Sequence, residues 1–282
     1  MKLAEYLDLA QKDYPSVDVK DIEIILAAVL KIPKLDLWLE EERKLAKAEL
    51  AKIDMMLFQR AEDEPLQYIL GETVFRNLNI EVGEGVLIPR PETELLVDIA
   101  LDLIANIENP DVCDLGTGSG AIALAIASEN PHANVTGTDI SKEALNYAAK
   151  NKLKNKVGNV EFIFGDLFLP FQGINGSRQF HLITANLPYV SELLFETLPK
   201  EVRDFEPESA LLAEDGGLSL IKKAAEDALR HLHPEGHIIF EFSPEQEDDI
   251  SGYLNQLNYS EVSIKKDLNG RARFAVAQYS GK

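Results

Sequence analysis

Apolar residues recur at helical spacing through the first sixty residues of the chain. The runs lie at residues 3–9, 22–30 and 45–57, and polar segments separate them. This spacing puts the apolar side chains on one face of each helix. We therefore predict a small helical bundle over residues 1–64.

After residue 65 the pattern changes to short runs of β-type residues. Glycines separate the runs, which lie at residues 67–70, 73–82 and 86–88. Such runs are typical of strands joined by turns. We interpret residues 65–90 as a linking β-hairpin between two domains, the second of which covers residues 91–282. Pro91 suits a first helical position and begins a predicted helix over residues 92–107.

Strands and helices alternate from residue 110 onward. The predicted strands lie at residues 112–115, 134–139, 160–164, 182–185 and 237–242, and the predicted helices at 120–129, 142–150, 218–232 and 244–257. This alternation predicts an α/β fold with a doubly wound, largely parallel sheet that binds ligands at the carboxyl ends of its strands. The last segments, 260–266 and 273–278, flank Asn269-Gly270 without a helix, which predicts an antiparallel hairpin.

Composition narrows the choice of partners. The chain has 282 residues, 45% of them hydrophobic, which is enough for a substantial core. Its formal charge is -20, from 28 Lys and Arg against 48 Asp and Glu. Phosphate contacts supply most of the affinity for a nucleic-acid duplex, so we expect no direct nucleic-acid partner. The charge is more compatible with attraction to a basic protein.

The histidines, the cysteine and the apolar runs exclude further classes. Cys113 is the single cysteine, and the five histidines show no paired-ligand motif; His231 and His233 lie beside Pro234, where we expect a turn. We predict no metal. The first residues lack an apolar signal core, and no apolar run reaches about eighteen residues. We therefore expect no membrane contact and a cytoplasmic location.

A glycine-rich segment, Gly116-Thr117-Gly118-Ser119-Gly120, follows a predicted strand and begins a predicted helix. Backbone N–H groups at such a turn can face an anion or a carboxylate. Together with Ala121 the segment also satisfies G-x-G-x-x-A, so a dinucleotide-binding fold stays open. Asp139 ends the next strand, where a carboxylate can accept the two ribose hydroxyls of either NAD or S-adenosylmethionine. Asp166 follows the third strand and could bind an adenine amine or cap its own loop.

Asn186-Leu187-Pro188-Tyr189 follows the fourth predicted strand, on the same edge of the sheet as the glycine-rich segment. The side-chain oxygen of Asn186 could accept one N–H of a planar NH2 group, and the Leu187 carbonyl the other. The Tyr189 ring could lie over the same group. Such an arrangement suits methyl transfer to an amide or to an exocyclic amine.

These segments resemble the HemK/PrmC family, S-adenosylmethionine-dependent enzymes that methylate N5 of the glutamine in the Gly-Gly-Gln tripeptide of peptide chain release factors. The resemblance extends over most of the chain, and its most specific part is Leu87-Ile88-Pro89-Arg90-Pro91-Glu92-Thr93-Glu94. Further matches are the segments 64–72, 114–120, 186–189, 205–207 and 269–271 with Phe75, Asp139, Ala210 and Leu211.

The resemblance implies a seven-stranded, Rossmann-like class I methyltransferase domain and a helical N-terminal domain that helps to hold the release factor. It implies that the glycine-rich segment, Asp139 and Asn186 bind S-adenosylmethionine, with Asp166 and Leu167 flanking the adenine. Catalysis and glutamine binding fall to residues 186–189, and Arg90 and Glu92 should lie near the substrate. We expect the enzyme to act as a monomer.

Two positions depart from the family pattern. Leu187 replaces the first proline of the usual Asn-Pro-Pro-Tyr, and we expect activity to survive because this residue is needed for its carbonyl. The segment 241–246 lacks the usual glycine-containing turn, which affects the local loop shape. Three alternatives remain at this stage: an adenine N6-methyltransferase, a nicotinamide-dependent oxidoreductase and a non-catalytic binding module.

Overall fold

The structure, a computed structural model, describes residues 1–172 and 178–281. The chain forms two compact units. The first comprises Met1–Glu72 and Pro199–Phe205, and the second comprises Thr73–Leu198 and Glu206–Lys282. The chain therefore passes from one unit to the other three times.

The first unit is helical, as its apolar spacing predicts. It contains α1 (Leu3–Asp13), α2 (Val19–Leu30), α3 (Lys47–Ala61), α4 (Leu66–Leu70) and a short helix, Lys200–Arg203. In α2 the side chains of Ile22, Ile25 and Leu26 are buried, and this spacing defines one apolar face. The Asp18 carboxylate accepts the Lys20 N–H at 2.7 Å and so caps the helix start.

The segment Pro199–Phe205 joins the first unit through two ion pairs. Lys200 Nζ lies 2.7 Å from Asp63 Oδ2, and Arg60 Nη1 lies 2.9 Å from Glu201 Oε2. Arg60 Nε also lies 2.7 Å from Asp21 Oδ2. Residues distant in sequence thus complete the charge pairing of this helical unit.

Two strand predictions before residue 90 are wrong. Residues 67–70 belong to α4, which ends because Gly71 adopts φ 80° and its N–H bonds to the Gln67 carbonyl at 2.9 Å. Residues 86–88 form no strand. The predicted hairpin is present between them as β1 (Glu72–Phe75) and β2 (Leu78–Glu81).

A seven-stranded sheet forms the core of the second unit, in the order β5-β4-β3-β6-β7-β9-β8. Its strands are β3 (Asp111–Leu115), β4 (Asn134–Asp139), β5 (Val160–Phe164), β6 (Phe180–Ala185), β7 (Leu232–Glu241), β8 (Ser260–Lys266) and β9 (Ala272–Gln278). The first five are parallel, whereas β9 is antiparallel to β7 and β8 to β9. The prediction of a largely parallel sheet with an antiparallel final hairpin is confirmed.

The longer helices of this unit are α5 (Glu94–Ile104), α6 (Ala121–Glu129), α7 (Lys142–Asn155), α8 (Ser219–Ala228) and α9 (Glu247–Gln256). For residues 229–236 the sequence predicts the end of a helix followed by a turn, but in the structure the helix ends at Ala228. Strand β7 already begins at Leu232, and an irregularity in its pairing with β6 accommodates the segment around Pro234. Pro234 and Gly236 therefore lie at a bulge within the strand and not in a turn that precedes it.

Strand register brings three loops to one place. Leu115 of β3 pairs with Ala185 of β6, and Ala185 pairs with Phe240 of β7. The glycine-rich segment, the tetrapeptide at 186–189 and Glu241 therefore lie at the same height at the carboxyl edge of the sheet. This is the edge at which open α/β sheets bind ligands.

Candidate active site

The glycine-rich segment turns the chain from β3 into α6. Gly116, Gly118 and Gly120 have φ values of 64°, 56° and 82°, which residues with a Cβ rarely adopt. A Cβ at Gly120 would also lie 2.9 Å from the Phe162 ring. Glycine is therefore needed at Gly120 both for the backbone conformation and for packing.

Asp139 binds the backbone of this turn. Its Oδ2 accepts the Gly118 N–H at 2.8 Å, and its Oδ1 accepts the Ser141 N–H at 2.7 Å. Burial raises the pKa of Asp139, while these backbone hydrogen bonds oppose the rise. The carboxylate therefore lies beside the turn, at the end of β4, as the sequence predicts.

Asp114 is a second carboxylate behind the turn, and no motif assigns a role to it. It is fully buried and accepts hydrogen bonds from Thr117 Oγ1 at 2.7 Å and Thr184 Oγ1 at 2.8 Å. Burial raises the pKa of Asp114 to about 6, although both hydroxyl donors act in the opposite direction. Asp114 thus ties the glycine turn to β6.

A cavity of about 260 Å³ opens at this edge of the sheet. Its walls come from the glycine-rich segment, the ends of β4 and β5, the tetrapeptide and two flanking segments. Predicted site residues in its lining are Arg90, Gly116, Thr117, Gly118, Ser119, Asp139, Asp166, Leu167, Asn186, Leu187 and Pro188. Gly120, Glu92 and Tyr189 are the predicted residues that do not line it. All the lining residues belong to the second unit.

Asp166 and Leu167 lie where β5 ends. Leu167 is buried and has φ 47°, so its backbone makes a sharp turn at the cavity wall. Asp166 Oδ2 lies 2.5 Å from Lys223 Nζ. The sequence leaves Asp166 open between an adenine contact and a loop cap, and in the structure its carboxylate forms this partly exposed ion pair.

The amide of Asn186 is oriented by a chain of side chains. Asn186 Nδ2 donates to Thr93 Oγ1 at 3.4 Å, and Thr93 Oγ1 donates to Glu241 Oε2 at 2.7 Å. Because Nδ2 makes the bond to Thr93, Oδ1 is the amide atom that can accept an N–H from a substrate. Burial raises the pKa of Glu241, and Thr93, Arg273 and Tyr189 oppose that rise.

Packing and hydrogen bonds hold Leu187 and Tyr189 of the tetrapeptide in place. Leu187 is 4% exposed and belongs to the core of the second unit. The Tyr189 hydroxyl donates to Glu241 Oε1 at 3.2 Å, and burial raises the Tyr189 pKa. The Tyr189 carbonyl accepts from Gln246 Nε2 at 3.0 Å. Gln246, in the segment that lacks the family's glycine turn, therefore fixes the loop by its side chain.

Arg90 and Glu92 differ in their surroundings, since Arg90 is hydrogen-bonded to another side chain and Glu92 is exposed. Arg90 Nη2 donates to Glu206 Oε1 at 2.6 Å, and the other oxygen of Glu206 accepts the Ile88 N–H at 3.1 Å. This bond fixes Arg90 in the cavity wall. The Glu92 side chain is exposed.

Residues from the hairpin and from α7 also support the turn. Asn151 is fully buried, and its amide accepts the Glu81 N–H at 2.6 Å while donating to the Ser119 carbonyl at 2.9 Å. Asn151 joins β2 to the glycine turn, and the sequence offered no signal for it beyond an asparagine in a helix.

Within the described residues, one group of potential metal ligands comprises Asp111, His181 and His233. It lies at the amino edge of the sheet, away from the cavity. His181 Nδ1 accepts the Asp111 N–H at 3.0 Å, which leaves the proton of a neutral imidazole on Nε2. A ligating histidine instead donates from its second nitrogen, so this arrangement does not fit a metal centre.

The sheet order, the glycine turn, the acidic end of β4 and the cavity between them together define a class I S-adenosylmethionine-dependent methyltransferase. A family model described as a methyltransferase domain matches residues 108–267, and one described as the PrmC N-terminal domain matches residues 4–71. S-adenosylmethionine is therefore the cofactor, which decides between the two that the glycine turn allowed.

Relatives over nearly the whole chain identify the family. A release factor glutamine methyltransferase from Fusobacterium nucleatum is 38% identical and covers 98% of this chain and 77% of its own. Proteins of the same name from Thermodesulfovibrio yellowstonii and Vibrio cholerae are each 37% identical and cover 94% and 93% of their own lengths. The chain belongs to the release factor glutamine methyltransferase family.

Solved structures are similar in fold at low identity. The hMettl16 catalytic domain in complex with a MAT2A 3'UTR hairpin has a TM-score of 0.59 and 17% identity, covering 84% of this chain and 82% of that one. A methyltransferase from Pyrococcus furiosus has a TM-score of 0.51 and 19% identity, covering 84% of this chain and 100% of its own. Within residues 1–172 and 178–281, no helix has the length and apolar character needed to cross a membrane.

Proposed function

We propose that this chain methylates N5 of the glutamine in the Gly-Gly-Gln tripeptide of peptide chain release factors. The observation that carries the proposal is the placement of the Asn186 amide. Its nitrogen bonds to Thr93 at 3.4 Å, so its oxygen is available at the cavity beside the glycine turn. A glutamine amide nitrogen is a weak nucleophile, and an acceptor for its N–H positions it without requiring a strong base.

In the proposed mechanism the chain orients the amide and excludes water. S-adenosylmethionine supplies an electrophilic methyl group on a sulfonium. Asn186 Oδ1 and the Leu187 carbonyl each accept one N–H of the substrate amide, so its nitrogen is directed at the methyl carbon. When bound, the cofactor would supply the methyl group to this nitrogen and leave as S-adenosylhomocysteine, and the methylated amide would pass one proton to a hydrogen-bonded acceptor.

The cofactor residues have proposed roles at the same edge. Asp139 would accept the ribose hydroxyls, and the turn from Gly116 to Gly120 would let the backbone approach the cofactor closely. Asp166 and Leu167 would flank the adenine. Arg90 and Glu92 would contact the substrate segment around the glutamine.

We further propose that the helical region, residues 1–64, helps to hold the release factor and that residues 65–90 link it to the methyltransferase domain, residues 91–282. The formal charge of -20 favours a basic protein surface over nucleic acid as the partner. A release factor acts in translation, so the proposed site of action is the cytoplasm, with the enzyme as a monomer.

The test combines the protein, S-adenosylmethionine with a labelled methyl group, and an unmodified release factor. Peptide mass mapping should place the label on the glutamine of Gly-Gly-Gln, and a release factor with Gln→Ala at that position should take up none. Label on another residue would overturn the substrate assignment. The adenine N6-methyltransferase alternative would be supported instead by methylation of RNA or DNA oligonucleotides at physiological salt.

A further inference from the structure

Glu241 is a buried carboxylate at the end of β7 to which neither the motifs nor the resemblance gives a role. It is 2% exposed. Its two oxygens accept hydrogen bonds from different elements, Oε2 from Thr93 at 2.7 Å and Oε1 from Tyr189 at 3.2 Å. Burial of a carboxylate costs free energy unless the group is hydrogen-bonded or paired with a cation. A buried carboxylate next to the tetrapeptide 186–189 is therefore expected to have a specific role.

The carboxylate of Glu241 is the acceptor in both of its hydrogen bonds. The Thr93 hydroxyl donates its single proton to Glu241 Oε2, which in its ionised form can only accept. Thr93 Oγ1 can then only accept a bond from Asn186, and the atom that supplies it must be Nδ2. The amide oxygen of Asn186 is thereby directed away from Thr93.

We propose that Glu241 is a positioning residue for methyl transfer, which through Thr93 keeps the Asn186 oxygen toward the substrate and through Tyr189 holds the far end of the same tetrapeptide. The inference rests on the proposed function, because it concerns the acceptor for the substrate amide. Asn186 would touch the substrate, whereas Glu241 acts through its neighbours.

The proposal predicts that this position needs an acid rather than its amide. A glutamine at 241 could donate to Thr93 from its NH2 group, and the Thr93 hydroxyl would then be free to donate to Asn186. The amide oxygen of Asn186 would then accept that hydrogen bond, and its NH2 group would face the substrate. Two donors would then face each other, and the substrate amide would lose its acceptor.

The test compares Glu241→Gln with Thr93→Val, which removes the relay hydroxyl, and Thr93→Ser, which keeps it. Glu161→Gln is the matched control, because Glu161 is a carboxylate of the same unit that bonds to Arg178 and Thr136 and does not line the cavity. Wild type is first shown to methylate the release factor. Failure at that step would reject the proposed function and not this inference.

We expect Glu241→Gln and Thr93→Val to lower kcat at least about tenfold, since misplacing a positioning contact has effects of that size or larger. The affinity for S-adenosylhomocysteine should stay within about twofold, and Thr93→Ser and Glu161→Gln should keep kcat within about threefold. The double variant Glu241→Gln/Thr93→Val should be no slower than the slower single variant, because both changes break one relay.

The inference would be overturned if folded Glu241→Gln turned over like wild type, or if cofactor affinity fell in parallel with kcat, as a merely structural role would cause. It would also be overturned if Thr93→Ser were as slow as Thr93→Val. If Glu241→Gln does not fold, the Thr93 pair decides between the outcomes.

Discussion

The Leu187 side chain lies against the α-carbon of Gly116. A Cβ built on Gly116 would come within 2.9 Å of Leu187 Cδ2. The glycine-rich segment and the tetrapeptide at 186–189 are therefore in van der Waals contact at this point. The family's usual proline could not fill this space with a branched side chain.

Gly116→Ala should weaken cofactor binding. The added methyl group would meet Leu187, and φ 64° is unfavourable for alanine. We expect the affinity for S-adenosylhomocysteine, measured by calorimetry, to fall at least about tenfold, because strain of about 1–3 kcal/mol accompanies such a backbone conformation.

Gly252→Ala is the matched control for that change. Gly252 lies in α9, its Cβ would meet nothing within 4 Å, and its backbone is helical. Alanine there should raise the free energy of unfolding by about 0.5–1 kcal/mol and leave cofactor affinity unchanged. Equal affinities in the two variants would contradict the prediction.

Asn186→Ala should lower kcat on the order of 10²-fold or more, by analogy with the loss of other preorganised polar contacts. Asn186 is only partly buried, so the protein should remain folded when its side chain is removed. Methyl incorporation into the release factor measures the effect. Asn134→Ala, at the amino end of β4, should behave like wild type. Near-normal turnover of Asn186→Ala would remove Asn186 from the mechanism.

Leu187→Ala should mainly affect stability. Leu187 is 4% exposed within the core of the second unit, and truncation of a buried leucine costs about 2–5 kcal/mol. Its backbone carbonyl is retained, so the folded variant should still methylate the release factor at low temperature. Urea unfolding followed by fluorescence gives the difference, with Leu193→Ala, 86% exposed, as the control. A loss below about 1 kcal/mol would contradict the assigned packing.

The contribution of Asp114 to stability should depend on pH. Its pKa is raised from 3.8 to about 6 in the folded protein, so protonation favours the folded state. This contribution is fully present below pH 3.8 and is lost as pH rises to about 6. The difference in unfolding free energy between wild type and Asp114→Asn should therefore shift against wild type across that range. A constant difference would mean that Asp114 does not titrate there.

The parts of the fold that sequence predicts are those with local signals. Alternating strands and helices, the glycine turn and the final hairpin depend on residues close together in the chain. The strand prediction at 67–70 failed for the same reason: a five-residue helix has almost no periodicity, and Gly71 alone marks its end. The β-type residues at 67–70 instead indicated a strand.

The supporting contacts of the site could not be predicted from one sequence. Thr93 and Glu241 are 148 residues apart, and Arg90 and Glu206 are 116 apart. Neither pair has a spacing that marks it, since the members come together only when the chain is folded. Tyr189 illustrates the same limit, because the motif indicates an aromatic ring but not that its hydroxyl bonds to Glu241.

The helical first unit includes Pro199–Phe205, a segment far along the chain. During synthesis at about 5–20 residues per second, the partners of Asp63 and Arg60 emerge on the order of ten seconds after those residues do. The first unit thus stays incomplete on the ribosome until most of the strands that carry the candidate site have been made. A fragment cut after residue 72 would lack Lys200 and Glu201, so the helical unit could not form these two ion pairs by itself.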